Sequence, residues 1–251
     1  MTRGFFITGT DTGVGKTVIA GALILFIKSL GLRVCGMKPI ETGCMKSENR
    51  EQRAESKVKD TLLIAADGIF LQGISDVDEP INSVVPICLK NPLAPFPAAE
   101  TEGIPVDIEK IKKAYTKLSE KYDAVVVEGI GGLLVPIKQD YFVLDLARDL
   151  GLPMIVVSRP SLGTINHTLL TINYAIKEGL NVAGIIMNYS QPPEKTLAEK
   201  TNPEIIRQIS PIPILGVFPY LEDMERNEIE QAAVRCLNLE IIRNYLQTQV
   251  D

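Results

Sequence analysis

The sequence predicts an α/β fold: a single doubly wound domain, residues 1–251, around a mostly parallel seven-stranded sheet. Short apolar runs rich in Val and Ile alternate with longer amphipathic segments along the whole chain. The runs lack the polar alternation of half-exposed strands, so they are typical of strands buried on both faces of a parallel sheet. Neither an internal repeat nor a domain boundary interrupts this alternation, which favours one layered α/β unit.

Seven runs are predicted to be the strands, at residues 4–8, 33–37, 84–89, 124–128, 154–158, 182–187 and 214–218. The predicted helices are residues 16–30, 57–66, 107–122, 142–150, 164–178 and a last one from about residue 227. Gly31, Gly151 and Gly179 are expected to end helices, and Asp107 and Thr164 to cap helix starts. Residues 41–53 and 91–105 are expected to be loops.

Composition excludes several function classes. The net charge is −5 and no basic run is interleaved with aromatic residues, so we expect neither a nucleic-acid nor a membrane partner. The apolar run at residues 19–27 is too short to span a bilayer, and the N-terminus lacks a signal-peptide pattern. The four cysteines stand at neither metal-ligand nor redox spacing. We therefore expect reduced thiols in a cytoplasmic protein.

A glycine-rich segment, Gly-Thr-Asp-Thr-Gly-Val-Gly-Lys-Thr at residues 9–17, follows the first predicted strand and opens the first helix. This context predicts a phosphate-binding loop (P-loop) and a P-loop NTPase-like fold. Its backbone N–H groups would surround phosphate oxygens, Lys16 would reach the β- and γ-phosphates, and Thr17 would bind Mg²⁺. Thr10 replaces one standard glycine, and Asp11 replaces the lysine that marks partitioning and septum-site ATPases. The segment therefore predicts a protein that binds a nucleoside triphosphate with Mg²⁺ but does not belong to the branch of partitioning and septum-site ATPases.

Charged residues also end two further predicted strands. Lys38 follows the second strand, where an open parallel sheet binds its ligands, and Glu41 and Thr42 lie just beyond it. Glu128 ends an apolar strand and precedes a glycine-rich turn, an arrangement by which many P-loop enzymes hold Mg²⁺. Asp60 stands near a predicted helix start, where an acid is favoured by the helix dipole whatever its function.

Six segments in this order and spacing resemble the dethiobiotin synthetase family, from Thr8 to about Leu221. They are residues 8–17, 37–39, 127–132, 163–170, 184–188 and 219–221. The resemblance implies a ligase of biotin synthesis that uses ATP, Mg²⁺ and CO₂ to close a ureido ring on 7,8-diaminononanoate (7,8-diaminopelargonate). It implies a carbamate, a carbamic–phosphoric anhydride and release of phosphate as the second amine attacks.

The resemblance also assigns residues. Lys16, Lys38 and Thr12 would be catalytic, and Thr17, Asp60 and Glu128 would bind Mg²⁺. Nucleotide contacts would come from Gly13, Val14, Gly15, Lys16, Thr17, Val18, Asp60, Glu128, Gly129, Ile130, Gly131, Asn188, Pro219, Tyr220 and Leu221. Among these, Asn188 corresponds to the residue that reads adenine, while Pro219, Tyr220 and Leu221 would line the base pocket.

The family forms homodimers with the substrate at the subunit interface. Thr42 would contact substrate, as would Gly163, Thr164, Ile165 and Asn166, whose helix start would bind the substrate carboxylate from the neighbouring subunit. A helix N-terminus offers free N–H groups to an anion, which is consistent with this implication. The neighbouring His167, the only histidine in the chain, is given no chemical role.

Two alternatives to the dethiobiotin synthetase interpretation remain. The cobyrinic acid amidases share the loop but carry a glutaminase domain, for which 251 residues leave no length. A partitioning-type switch would hydrolyse ATP slowly and bind partners, but Asp11 and the lack of a basic or amphipathic tail argue against it. Phosphate release that requires both diamine and bicarbonate would distinguish the synthetase from a switch.

Overall fold

The computed structural model describes residues 3–46 and 63–248. Its strands are β1 (Arg3–Gly9), β2 (Val34–Met37), β3 (Ile40–Thr42), β4 (Met45–Lys46), β5 (Leu63–Ile64), β6 (Ile87–Leu89), β7 (Ala124–Glu128), β8 (Pro136–Lys138), β9 (Tyr141–Phe142), β10 (Met154–Ser158), β11 (Val182–Asn188) and β12 (Ile214–Phe218). Its helices are α1 (Lys16–Ser29), α2 (Ala66–Ser75), α3 (Ile81–Val84), α4 (Pro95–Glu102), α5 (Ile108–Lys121), α6 (Val143–Leu150), α7 (Thr164–Lys177), α8 (Leu197–Ile209), α9 (Arg226–Cys236) and α10 (Leu239–Thr248).

The central sheet has six strands in the order β12-β11-β10-β1-β7-β2, and every pair is parallel. β1 lies inside the sheet, so its side chains alternate between two buried faces. Phe5 and Ile7 belong to one hydrophobic cluster, whereas Phe6 belongs to the other. Helices cover both faces, which confirms the α/β class and explains why the strands read as continuous apolar runs.

Among residues 3–46 and 63–248, the central sheet has six strands rather than the predicted seven, because the run at residues 84–89 is divided. Its first residue ends α3, and β6 pairs parallel with β3 in a separate two-stranded sheet. Pro86 interrupts the run and Pro39 separates β2 from β3. Proline has no N–H to donate to the hydrogen bonds between strands. The main sheet therefore ends at β2, and β3 and β6 pair separately.

The helix boundaries agree with several predicted caps and correct one. The Asp107 carboxylate accepts a hydrogen bond from the Lys110 N–H at 3.0 Å, which confirms it as the cap of α5. Gly151 ends α6 in the left-handed region, with φ of 67°. The cap of α7, however, is Gly163, and Thr164 is the first helical residue.

Three further predicted segments differ from the structure. In its described part, the predicted loop at residues 41–53 contains the end of β3 and all of β4. Of the predicted helix at residues 57–66, residues 57–62 lie outside the described part, while β5 pairs antiparallel with β4 and α2 begins only at Ala66. The predicted loop at residues 91–105 contains α4, which starts at Pro95. Proline fits a first helical turn because the N–H groups there need no partner within the helix. Across the described residues, none of the helices combines the length and apolar character needed to cross a membrane.

Cys44 and Cys88 form a disulfide across a separation of 44 residues, with their Cα atoms 6.4 Å apart. The expectation of reduced thiols is therefore wrong for this pair. The parallel pairing of β3 with β6 brings the two cysteines together, and this is a tertiary contact that spacing along the chain does not reveal. Cys35 and Cys236 remain free thiols.

Candidate active site

The glycine-rich loop leaves β1 and enters α1 at the carboxyl edge of the sheet. Backbone hydrogen bonds hold it to two neighbouring segments: the Gly9 N–H donates to the Gly131 carbonyl at 3.2 Å, and the Thr10 N–H donates to the Val157 carbonyl at 2.9 Å. Arg159 holds the outer side of the loop, donating to the Asp11 carboxylate at 2.9 Å. The loop is therefore anchored to β10 and to the turn after β7.

Lys16 places a buried cation beside the loop. Its ammonium donates to the Asp11 carbonyl at 3.2 Å. Burial, and next the positive charge of Lys38, lower the pKa of Lys16 to about 8. Lys16, at the start of α1, and Lys38, just after β2, both line the same cleft.

Glu128 is the centre of a buried polar network. Its Oε1 atom accepts hydrogen bonds from the Thr17 hydroxyl at 3.0 Å and the Lys38 ammonium at 2.6 Å. Its Oε2 atom is buried without a hydrogen-bond partner among the described residues. Three predicted site residues thus meet at one carboxylate, which retains an acceptor for a ligand.

Lys38 lies between two carboxylates, because its ammonium also donates to Asp67 Oδ2 at 2.8 Å. Burial alone would lower the pKa of Lys38, but Glu128 and Asp67 outweigh burial and raise this pKa above its ordinary value. Lys38 is therefore a protonated, desolvated cation at neutral pH.

Asp67 was missed by the sequence reasoning. Asp60, the predicted metal ligand, lies outside the described residues, whereas Asp67 occupies the first turn of α2 and reaches the site. The sequence predicted an acid near the start of a helix, but it placed the start of that helix too early. α2 begins at Ala66, and no capping side chain at Ala65 marks this start in the sequence.

These groups line a cleft of about 540 Å³. The predicted residues that line it are Thr12, Gly13, Gly15, Lys16, Thr17, Val18, Lys38, Thr42, Glu128, Ile130, Gly131, Asn188, Pro219, Tyr220 and Leu221. The lining residues that the sequence reasoning did not assign are Glu41, Ala66, Asp67, Phe70, Tyr189, Ser190 and Met224. Of the remaining predictions, Val14 lies buried beneath the loop, and Gly129 lies against the ring of Phe6.

Asn188, at the end of β11, also lines the cleft. Its Nδ2 atom donates to the Val14 carbonyl at 2.9 Å, which fixes the orientation of the amide. Its Oδ1 atom is buried without a partner among the described residues. A Cβ atom on Gly15 would lie 2.0 Å from Nδ2, and Gly15 adopts φ of +87°. Only glycine at this position lets the loop approach the amide so closely.

Gly163, Thr164, Ile165 and Asn166 do not line this cleft. They form the start of α7, beyond the end of β10. The cap residue Gly163 has no side chain to accept the first N–H groups, and the Thr164 hydroxyl bonds to Thr168 at 3.3 Å instead. Within this chain, the helix start and the cleft are therefore separate features.

A profile of the AAA_26 family, described as an AAA domain, matches residues 3–228. The ATP-dependent dethiobiotin synthetase BioD of Thermodesulfovibrio yellowstonii is 41% identical over 249 residues, covering 96% of this chain and 99% of the relative. Its counterpart in Bacillus subtilis is 39% identical over 243 residues, covering 96% and 98%. That of Methanocaldococcus jannaschii is 41% identical over 224 residues, covering 88% and 95%.

Solved structures agree on the fold. The septum site-determining protein MinD of Pyrococcus horikoshii, complexed with Mg-ADP, has a TM-score of 0.54 at 19% identity, covering 94% of this chain and 88% of that one. A ParA family ATPase from Chlorobium tepidum has a TM-score of 0.51 at 13% identity, covering 96% and 93%. Identities this low show a common P-loop NTPase fold alone. The near full-length similarity to the curated relatives shows more: the chain belongs to the family of ATP-dependent dethiobiotin synthetases.

Proposed function

We propose that the protein uses ATP and CO₂ to close a ureido ring on 7,8-diaminononanoate, giving dethiobiotin, ADP and phosphate in the penultimate step of biotin synthesis. The observation that carries the proposal is the buried Lys38 ammonium, held 2.6 Å from Glu128 beside the Lys16 of the phosphate loop. A reaction that gathers a carbamate and a triphosphate needs desolvated positive charge at one place.

The proposed steps conserve atoms and charge. A neutral amine of the substrate attacks CO₂ and loses a proton, giving a carbamate. A carbamate oxygen attacks the γ-phosphorus, and ADP leaves. The second amine then attacks the carbonyl carbon of the mixed anhydride, expels phosphate and loses a proton, which closes the ring. Each step joins groups that a rigid cleft can hold together.

The cationic side chains have separate tasks in this scheme. Lys16, at the start of α1, would neutralise the β- and γ-phosphates, as the lysine of a P-loop does. Lys38, from the end of β2, would stabilise the carbamate and the transferring phosphoryl group. Thr12 and Thr42 both line the cleft and offer hydroxyls to the substrate. The two lysines come from different elements, the start of α1 and the end of β2, so a group bound between them would meet charge from both.

We propose Thr17, Glu128 and Asp67 as the residues that would hold Mg²⁺. Hydroxyl and carboxylate oxygens are the ligands Mg²⁺ prefers, and the unpartnered Oε2 of Glu128 fits this role. The described residues contain no cluster of three or more His, Cys, Asp or Glu residues, so phosphate oxygens would complete the coordination. When bound, the ion would offset phosphate charge.

Asn188 supports adenine as the base. Its Nδ2 is engaged by Val14, so the amide offers Oδ1, an acceptor, to the base. An acceptor suits the exocyclic amino group of adenine and disfavours the carbonyl of guanine. Pro219, Tyr220 and Leu221 would pack against the base from the loop after β12.

A product assay with labelled carbon tests the reaction. With ¹³C-bicarbonate, diamine and Mg²⁺-ATP, we expect one labelled carbon in the ureido ring and one phosphate per dethiobiotin. Omitting either diamine or bicarbonate should abolish phosphate release. Steady ATP hydrolysis without the diamine would instead indicate a nucleotide switch and contradict the proposal.

We further propose that residues 1–251 act as one domain within a homodimer, with the start of α7 binding the substrate carboxylate in the partner's cleft. Leu162, Leu170 and Ile176 are exposed apolar residues on or just before α7, and a subunit interface would cover them. A Lys38→Ala chain and a chain with Thr164→Pro, which removes one backbone N–H from the helix start while remaining compatible with the helix, can be mixed after each is purified. Recovered activity in the mixture would support sites shared between subunits, and strictly monomeric protein in analytical ultracentrifugation would refute them.

A further inference from the structure

Glu41 is a buried carboxylate in the cleft wall to which the proposed chemistry gives no role. It lies on β3, three residues after Lys38, and is 6% exposed. Burial raises the pKa of its carboxyl group. Burying a carboxylate costs free energy unless hydrogen bonds compensate for the lost water. The hydrogen-bond partners of Glu41 therefore indicate why it is buried.

Both Glu41 oxygens accept backbone hydrogen bonds from the first turn of α2. Oε1 accepts from the Asp67 N–H at 3.0 Å, and Oε2 accepts from the Gly68 N–H at 2.9 Å. These are the second and third residues of the helix, whose N–H groups are normally satisfied by the side chain of the cap residue. Here the cap residue is Ala65, which has no hydrogen-bonding side chain.

Glu41 therefore acts as a cap supplied from a distant strand. A carboxylate at a helix N-terminus is also favoured by the helix dipole. Gly68 lets this turn pack against the segment before β6, because a Cβ atom there would lie 2.0 Å from Val85 Cγ2, whereas its 3.6 Å distance from Glu41 Oε2 would be an ordinary contact. The close packing of β3, α2 and the segment before β6 leaves the first turn of α2 little freedom.

The residue that receives this support is Asp67. Glu41 binds the backbone N–H of Asp67, while the Asp67 side chain bonds to Lys38 at 2.8 Å. The Asp67 side chain is 40% exposed, so packing alone does not fix its rotamer, and the placement of its backbone matters more. We propose that Glu41 is a positioning residue that sets the metal affinity of the site by holding Asp67 towards Lys38 and Glu128.

This inference rests on the proposed function in one respect, that Asp67 is a metal ligand. Glu41 could instead bind a substrate amine, but both of its oxygens already accept N–H groups. Groups behind a metal ligand typically change metal affinity about 10- to 100-fold when removed. A substrate contact would instead change the KM for the diamine.

The first measurement is Mn²⁺ binding to the protein with ADP, followed by electron paramagnetic resonance, beside the Mg²⁺ dependence of turnover. Glu41→Gln replaces one acceptor with an amide that faces an N–H group. We expect Mn²⁺ affinity to fall about 10-fold and the Mg²⁺ requirement to rise equally, with the KM for the diamine nearly unchanged. Glu199→Gln is the matched control, because Glu199 is also buried and accepts two backbone N–H groups, at 3.2 Å each, near the start of α8. Its metal affinity should equal that of the unaltered protein.

Two further variants separate the possible failures. If Asp67→Asn leaves Mn²⁺ affinity unchanged, the proposed metal ligands are wrong. If Asp67→Asn weakens binding but Glu41→Gln does not, the positioning role of Glu41 is overturned while the proposed function stands. In the Asp67→Asn background, Glu41→Gln should have no further effect on metal affinity.

A second-site substitution guards against simple loss of folding. Ala65→Ser, at a position with φ of −92° and ψ of 94°, supplies a local cap for α2. Combined with Glu41→Gln, it should restore both thermal stability and most of the Mn²⁺ affinity. Restored stability without restored affinity would show that Glu41 acts on the metal site by another route, and would overturn the inference.

Discussion

Lys38 Nζ and Glu128 Oε1 lie 2.6 Å apart, and the two side chains are only 4% and 1% exposed. The two residues end neighbouring strands, β2 and β7, so the pairing of those strands sets the distance between the charges. Removing one partner of a buried ion pair leaves the other charge uncompensated. If Lys38 acts as proposed, the same pair would contribute to both turnover and stability.

For Lys38→Met, we expect turnover to fall about 10²–10³-fold, because a cation at the reacting groups is lost. The free energy of unfolding should also fall, by about 3–5 kcal/mol without metal, since Glu128 is left buried and unpaired. Phosphate release and urea unfolding measure the two effects. Mg²⁺ with ADP should restore part of the stability but none of the turnover. Near-normal turnover would exclude Lys38 from the reaction.

The lowered pKa of Lys16 predicts a pH dependence of nucleotide binding. Below about pH 8 Lys16 carries its charge, and above that value the free protein loses it. ADP affinity should therefore fall as the pH rises from 7 to 9. A bound diphosphate favours the protonated lysine, so binding at the higher pH should take up a proton. Calorimetric titration in buffers of different ionisation enthalpy detects both effects. Lys16→Arg keeps its charge over this range, and a pH dependence equally steep in that variant would contradict the assignment.

Asn188→Ala should weaken ATP binding more than GTP binding. The substitution removes the Oδ1 acceptor and leaves the Val14 carbonyl without its partner, and each lost hydrogen bond contributes about 1 kcal/mol. Only the Oδ1 contact distinguishes the two bases, so we expect the preference for ATP to fall about 5-fold in competition titrations. Asn202→Ala is a suitable control, because the Asn202 amide also donates to backbone carbonyls, those of Pro160 and Ser161, outside the cleft. An unchanged preference for ATP in Asn188→Ala would show that residues other than Asn188 select the base.

The Cys44–Cys88 disulfide closes a loop over a separation of 44 residues. Chain entropy predicts a stabilisation of about 4 kcal/mol for a loop of this length. Urea unfolding should therefore occur at lower concentration with a reductant than without it. A chain with both Cys44→Ser and Cys88→Ser should be insensitive to reductant, whereas Cys35→Ser should keep the response. Equal stability of the oxidised and reduced protein would show that the disulfide does not stabilise the fold.

Strands were the most predictable part of the fold. The runs 124–128 and 154–158 match β7 and β10 to the residue, because strands buried on both faces must be largely apolar. The run 214–218 also matches β12, although this edge strand is only partly buried. The strand prediction for residues 84–89 was wrong because it rested on apolar content alone. It took no account of Pro86, which interrupts the run. The Cys44–Cys88 pairing could not be predicted either, because it depends on how β3 and β6 come together in three dimensions.

The phosphate loop, Lys38 and Glu128 were predictable because each stands where a strand ends, and parallel strands end at the same edge of the sheet. Asp67 was not, because it reaches the site from a helix whose start carries no capping side chain at Ala65. The carboxylate that caps this helix start belongs to Glu41, 25 residues before Ala66 in the chain. Local patterns could not reveal a cap supplied from so far away.

The close approach of Gly15 to Asn188 has a consequence for how this site can change during evolution. A side chain of any size at residue 15 would displace the Asn188 amide. Under the proposed function, that amide would face the base while the loop would surround the phosphates, so one rigid contact would serve both ends of the nucleotide. A change of base preference would have to arise elsewhere around the base or be accompanied by a rebuilt loop.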